Sequence, residues 1–202
     1  MQDLSRSRTE KRLATKPARA IDKRTLQTRE KLSWSFIELA QQQGFDATTV
    51  QDVIERAKVG RSTFYAHFAD KDDMFIQHFI GFVESLAVKL EHAADTGRFR
   101  LPVGGFFEHV GQMQPLYLAM VTSHRLDPML KIGRVVLAAA LEKRMRVVSV
   151  STTLSGVPLS LVANHMAATL VNCLTWWMDH HQPCTAQELD RYYNELICVG
   201  QR

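Results

Sequence analysis

Cysteine is scarce in this chain of 202 residues: only Cys173, Cys184 and Cys198, all in the C-terminal sixth. Their odd number and lack of close pairing exclude a disulfide framework and suit a reducing cytoplasm, with packing as the simplest role. No CxxC motif is present, and adjacent His180 and His181 would point in different directions on a helix, so zinc is not expected. No apolar run approaches the ~18 residues that span a bilayer, so no membrane association is expected. The first residues, "MQDLSRSRTEKRLATKPARA", lack the apolar stretch of a secretory signal, and Asp3 and Glu10 weigh against a transit peptide. There is no G-x-S-x-G, P-loop, HExxH or nucleotide glycine fingerprint, and the histidines are dispersed. The chain is therefore not read as an enzyme, and no cofactor is expected.

What is present is ordinary globular material: 46% hydrophobic and 23% charged residues, which excludes disorder of the whole chain. The formal charge is +4, and its distribution is uneven. Residues 1–31 hold ten Lys/Arg against four Asp/Glu, whereas residues 32–74 hold four against seven. Such a basic arm is either a solvated tail or a segment that lies along a polyanion. Lys23 and Arg24 are its candidates for reaching a nucleic-acid backbone.

The periodicity is helical throughout, and the fold class expected is all-α. Residues 1–22 lack periodic apolar positions and read as a flexible arm. A helix begins at Lys23, with Leu32, Phe36, Leu39 and Ala40 on one face, and ends at Gly44. Thr48 or Thr49 caps the next, and Thr49 with Asp52 has capping-box spacing. Val50, Val53, Ile54 and Ala57 then make a helix of about two turns. "KVG" breaks it, and a third helix starts near Gly60 or Arg61 with Phe64 and Phe68 inward. Asp70 caps a longer helix from about Lys71 to Ala94. Further helices are expected at Phe106–Met113, Pro115–Ser123, Pro128–Val148, Pro158–His181 and Ala186–Val199, with "HRLD" and "SVSTTLSGV" as connectors. Thr185 and Glu188 repeat the capping-box spacing before the last.

Two short helices joined by a tight turn describe a helix-turn-helix, whose second helix enters the major groove. "VGRSTFYAHF" fits that role. Phe64 and Phe68 anchor the helix, while Arg61, Ser62, Thr63, Tyr65 and His67 face outward. Arginine grips guanine bidentately, and hydroxyls suit phosphates or base edges. Thr48 and Thr49 at one helix start and Lys71 at another fit phosphate binding by helix N-termini.

The stretch "GFDATTVQDVIERAKVGRSTFYAHFADKDDMF" resembles the DNA-binding domain of TetR-type transcriptional regulators. Gly44, Phe45, Thr48, Thr49, Val50, Val53, Ala57, Val59, Thr63, Phe64, Tyr65, His67, Phe68, Lys71 and Met74 stand in the places of that family's pattern. Two positions depart from it. Lys58 replaces the turn glycine, at modest backbone strain. Gly60 replaces the usual serine cap, so it supplies no side-chain contact. The resemblance implies phosphate contacts at Thr49, Tyr65, His67 and Lys71, and groove contacts at Arg61, Ser62 and Thr63. Lys58 adds a further candidate phosphate contact.

It also implies an architecture: a flexible arm over 1–22, a three-helix DNA-binding domain over 23–70, and a larger helical effector-binding and dimerisation domain over 71–202. The implied partners are a palindromic operator in double-stranded DNA, a second copy of the chain, and a small-molecule effector. Leu159, Val162, Met166, Leu170, Cys173 and Trp177, with Leu189, Tyr193 and Leu196, are the expected dimer contacts. Phe79, Phe82, Phe106, Phe107, Met113, Tyr117, Met120, Met129 and Trp176 are the expected pocket residues, unless they are plain core. His109, His124 and Arg125 are either polar anchors or surface groups. The function expected is a cytoplasmic, dimeric repressor released from its operator by an effector. The alternative is a constitutive or architectural DNA-binding protein without one.

Overall fold

The structure, a computed structural model, describes residues 23–91, 100–147 and 156–197. Every regular element among them is an α-helix. In chain order these are α1 (Lys23–Gln43), α2 (Val50–Ala57), α3 (Arg61–His67), α4 (Lys71–Glu91), α5 (Gly104–Gln112), α6 (Gln114–Thr122), α7 (Leu126–Val147), α8 (Leu159–Asp179) and α9 (Ala186–Ile197). The arm over 1–22, the end of the fourth helix at Ala94, the end of the seventh at Val148, the "SVSTTLS" of the later connector, Cys198 and Val199 lie outside the described residues.

The expected terminators act as chemistry requires. Gly44 takes φ 90° after α1. At the start of α2, the Thr49 hydroxyl accepts from Asp52 N at 3.2 Å and the Asp52 carboxylate accepts from Thr49 N at 2.9 Å. The Thr185–Glu188 pair repeats this ahead of α9, at 3.2 and 2.8 Å. Asp70 accepts from Asp73 N at 2.8 Å to begin α4. Lys58 closes α2 in the left-handed region, φ 50° and ψ 48°. Its neighbour's Val59 N then reaches back to Ile54 O at 3.0 Å, a Schellman closure. The connector before α7 is shorter than expected. Arg125 N bonds Met120 O at 3.0 Å to end α6, and α7 begins at Leu126. Pro128 falls in its first turn, where a missing N–H costs nothing.

Two apolar clusters result. One joins α1–α3 and the head of α4 through Leu32, Phe36, Phe45, Val53, Ala57, Phe64, Phe68, Met74 and Phe75, and also takes in Leu116, Met120 and Met129. Phe36, Phe45 and Phe75 meet ring to ring, with centroids 4.9 to 5.8 Å apart. The other fills the space between the rest of α4, α5 and α7–α9. Phe79 packs against both. The segment before α5 is held by α9. Asn194 exchanges hydrogen bonds with both backbone groups of Leu101, at 2.9 and 3.0 Å, and the Asp190 carboxylate accepts from Val103 N and Gly104 N.

The α8 stripe expected at a dimer contact lies inside this one chain instead. Met166, Leu170, Cys173 and Trp177 are buried, as are Leu189 and Tyr193 on α9, and all join the larger cluster. Leu159 and Val162 are partly buried against it. Of the expected contacts only Leu196 is exposed. The reason is stoichiometric: α5, α7 and α9 need an apolar face to pack on, and the richest stripe of α8 supplies it. The opposite arc of α8, with Leu161 and Trp176 at 59% and 45% exposure, is left bare.

A left-handed lysine is strained where glycine is not. Lys58→Gly is expected to raise stability by about 0.5–1 kcal/mol, read as a higher urea midpoint at unchanged m-value.

Candidate nucleic-acid interface and interior cavity

Two phenylalanines, one within α3 and one just past it, decide what its outer face presents. Phe64 is fully buried and Phe68, just past the helix, is 3% exposed. This pins α3 on α2 and leaves Arg61, Ser62, Thr63 and Tyr65 exposed, with His67 half-buried beside Phe68. Arg61 lies over the Tyr65 ring at 5.7 Å and donates to Gln51 Oε1 at 3.5 Å. Gln51 on α2 thereby joins the candidate interface. Sequence reading missed it, because a polar residue on a helix's solvent face carries no signal. Lys58 and Gly60 are exposed in the turn between the helices. Gly60 caps α3 with no side-chain bond, as its lack of a side chain requires.

Two expected DNA contacts, Thr48 and Lys71, are redirected, and a third, Thr49, forms the cap expected of it. Thr48 is fully buried, and its hydroxyl donates to Gly44 O at 2.8 Å. It closes the α1–α2 loop and offers nothing to a phosphate. Lys71 spends its three ammonium donors on the carbonyls of Phe45, Asp46 and Thr48, at 3.0, 3.0 and 2.8 Å. A lysine at a helix start was expected to face a polyanion, but the loop carbonyls left over by Gly44 lie closer. Thr49 is exposed, yet its hydroxyl donates to the Asp52 carboxylate at 2.8 Å. That hydrogen bonding holds the Asp52 acid below the usual carboxylate range, so Thr49 acts first as a cap.

Beside this staple, Arg125 reaches over from the α6–α7 turn. It donates to Asp46 at 2.7 Å and Asp72 at 3.0 Å, and its guanidinium sits 4.3 Å from the centre of the Phe45 ring. Arg125 thus serves neither pocket nor open surface. It joins the larger helical region to the loop that sets α2. Exposed His124 allows the turn by taking φ 56°.

A cavity of about 130 Å³ lies where the two clusters meet. Phe79, Phe82, Phe106, Met113, Tyr117, Met120 and Met129 line it, as expected, and His109 joins them. Two expected residues do not. Phe107 is fully buried against Trp177, with ring centroids 6.3 Å apart, and Trp176 faces outward on the bare arc of α8. Trp34 and Ile37 of α1 and His78 of α4 line the wall instead. These were not legible because α1 was read as serving only the first three helices. The Tyr117 hydroxyl is taken by Asp179 at 2.7 Å. Burial, with that partner, raises its pKa. His78 meets the Trp34 ring edge-on at 5.5 Å. Burial is the main cause that lowers its pKa, helped by His109 and opposed by Glu30.

Among the described residues, no group of His, Cys, Asp and Glu is placed to hold a metal, and no helix is long and apolar enough to cross a membrane.

Comparison with known proteins places the helix-turn-helix. Residues 37–77 match the family described as bacterial regulatory proteins, tetR family. An HTH-type transcriptional regulator of Bacillus subtilis, YxbF, is 36% identical over 55 residues, which are 27% of this chain and 14% of that protein's length. The solved structure of the dihydroxyacetone kinase operon activator DhaS superposes with a TM-score of 0.68 at 15% identity, over 86% of this chain and 96% of its own. A TetR transcriptional regulator from Streptococcus agalactiae gives 0.55 at 23% identity, over 87% and 96%. Residues 37–77 thus carry the helix-turn-helix of the tetR family, and the described helices share the fold of these structures.

Lys71→Met is expected to lower stability by about 2 kcal/mol, since three carbonyls lose a charged donor, as measured by chemical denaturation. The sign for His78 follows from its lowered pKa. The unfolded chain protonates first as pH falls through the ordinary imidazole value of 6.5, so the folded state loses stability from there downward. His78→Phe is expected to flatten the fall in Tm between about pH 7 and pH 5.

Proposed function

We propose that the protein is a dimeric, sequence-specific repressor that binds a palindromic operator and is released by a small molecule. The observation that carries this reading is α3: a helix anchored by Phe64 whose exposed arc holds Arg61, Ser62, Thr63 and Tyr65. Arg61 and Ser62 read base edges from the first turn, while Lys58, Thr63, Tyr65 and His67 contact the backbone or groove wall. Lys23 and Arg24, exposed at the start of α1, reach neighbouring phosphates. Thr48, Thr49 and Lys71 set the loop and cap from which α2 and α3 project.

The bare arc of α8 supports the second copy. It carries Leu161, Trp176 and, between them, small or polar Ala168 and Asn172, with Leu196 and Tyr192 exposed on α9. Two recognition helices about 34 Å apart then meet successive major grooves. The domains in this reading are the expected ones, with the arm, a DNA-binding unit to about residue 70, and an effector and dimerisation unit beyond it. The unit boundary is bridged by the first cluster's use of α6 and α7.

The cavity supports release by an effector over constitutive binding. Its walls come from α1 of the DNA-binding side as well as from α4–α8. A guest that prefers a different wall spacing changes the angle of α1 and α4, and so the separation of the two α3 helices.

Selection of bound fragments from random DNA is expected to return a palindrome. Arg61→Ala is expected to cost about 1–3 kcal/mol on that site and to relax one base preference. Leu161→Glu with Trp176→Glu is expected to yield monomers by light scattering. Binding without sequence preference, or a dimer untouched by the double substitution, overturns the corresponding part.

A further inference from the structure

The cavity's chemistry narrows what enters it. None of its lining residues is Lys, Arg, Asp or Glu. A carboxylate or ammonium there would be desolvated with no opposite charge to offset the cost. The wall is dominated by rings and thioethers, among them Phe79, Phe82, Phe106, Met113, Met120 and Met129. Such groups favour a flat, polarizable guest through ring-edge and sulfur–ring contacts. The polar side-chain groups left to meet a guest are the indole N–H of Trp34 and the imidazoles of His78 and His109, of which only the imidazoles offer an acceptor, because the Tyr117 hydroxyl is bonded to Asp179. Among the described residues neither imidazole has a hydrogen-bond partner. Their rings are nonetheless held in place, His78 by Trp34 and His109 by Phe82 at 4.9 Å.

Size sets the other limit. Apolar cavities of about 150 Å³ hold one benzene-sized guest, and this one is about 130 Å³. Long acyl chains and compounds of three or more rings exceed it. Gly133 shows how closely the wall is fitted: a Cβ there would stand 3.3 Å from Phe79.

Resting on the reading of this cavity as the effector site, we propose that its ligand is a compact, uncharged aromatic molecule. It has one ring or two fused rings, and one polar group that hydrogen-bonds to His78 or His109. Burial keeps His78 neutral, so it offers one N–H and one acceptor nitrogen, which suits a phenol, an indole or an aryl carbonyl.

The test uses the full chain with indole, phenol, benzoate, cyclohexanol and decanoate, scored by calorimetry and thermal shift. Indole and phenol are expected to bind, at least about tenfold tighter than benzoate or cyclohexanol. His78→Phe or His109→Phe, which keep the ring and remove the nitrogens, should weaken phenol by roughly fivefold. Val171 lines the cavity from α8, and Val171→Trp, which fills it, should abolish binding while the protein still unfolds cooperatively. The proposal is overturned if benzoate or decanoate binds tighter than indole, if no probe binds, or if binding survives both histidine changes and Val171→Trp. Operator affinity is measured on the same preparation. If indole binds and operator affinity does not change, the ligand class stands and the effector reading fails. If the operator is bound and no aromatic probe binds, the ligand class fails and the DNA reading stands.

Discussion

Three carbonyl oxygens, those of Phe45, Asp46 and Thr48, converge on the ammonium of Lys71 at the head of α4. These carbonyls belong to the loop that turns α1 into α2. With their partner in place the loop has one conformation, and the Thr49 cap lies at a defined point on the surface. α2 starts from that cap, α3 from the Lys58 turn, and the exposed arc of α3 inherits both. A charged group that saturates three backbone acceptors stabilises more than a surface ion pair does. It also orders a segment that is otherwise rich in small and polar residues.

The same helix connects the outer face to the interior. α4 begins at Lys71, passes Phe75, His78, Phe79, Phe82 and Val83 along the cavity wall, and continues into the second cluster. Arg125 adds a second tie, from the turn between Met120 and Met129 to Asp46 and Asp72. Cavity walls and the loop under α2 therefore share rigid elements. Packed helices move as bodies, so a change in wall spacing is transmitted as a change in helix angle. Phe79, packed on both clusters, sits at the pivot of that arrangement.

Much of the fold was legible because its signals are local. Helix starts at Thr49, Asp70 and Thr185 and helix ends at Gly44 and Lys58 depend on groups within a few residues of each other, and the structure forms each of them. The candidate interface was legible where exposure follows from helical period: with Phe64 inward, Arg61, Ser62, Thr63 and Tyr65 must face out. It was misread where a side chain had a competitor outside its own helix. Lys71 and Thr48 look like phosphate ligands until the carbonyls of a loop more than twenty residues away, or of Gly44, are brought to them. Arg125 looks like a surface or pocket residue until Asp46 and Asp72 arrive beside it.

Sequence alone determined the helical class, the order of the elements, their caps and the family of the helix-turn-helix, because each rests on periodicity and short-range hydrogen bonding. Tertiary structure alone decided which of several apolar arcs is spent inside the chain. The stripe of α8 from Met166 to Trp177 is equally suited to a partner or to α7 and α9. Only the packing of those helices assigned it to the interior and left Leu161 and Trp176 outside. It likewise decided that Trp34 and His78 face a cavity while Phe107 fills a core, since a void is defined by what several distant elements together fail to fill.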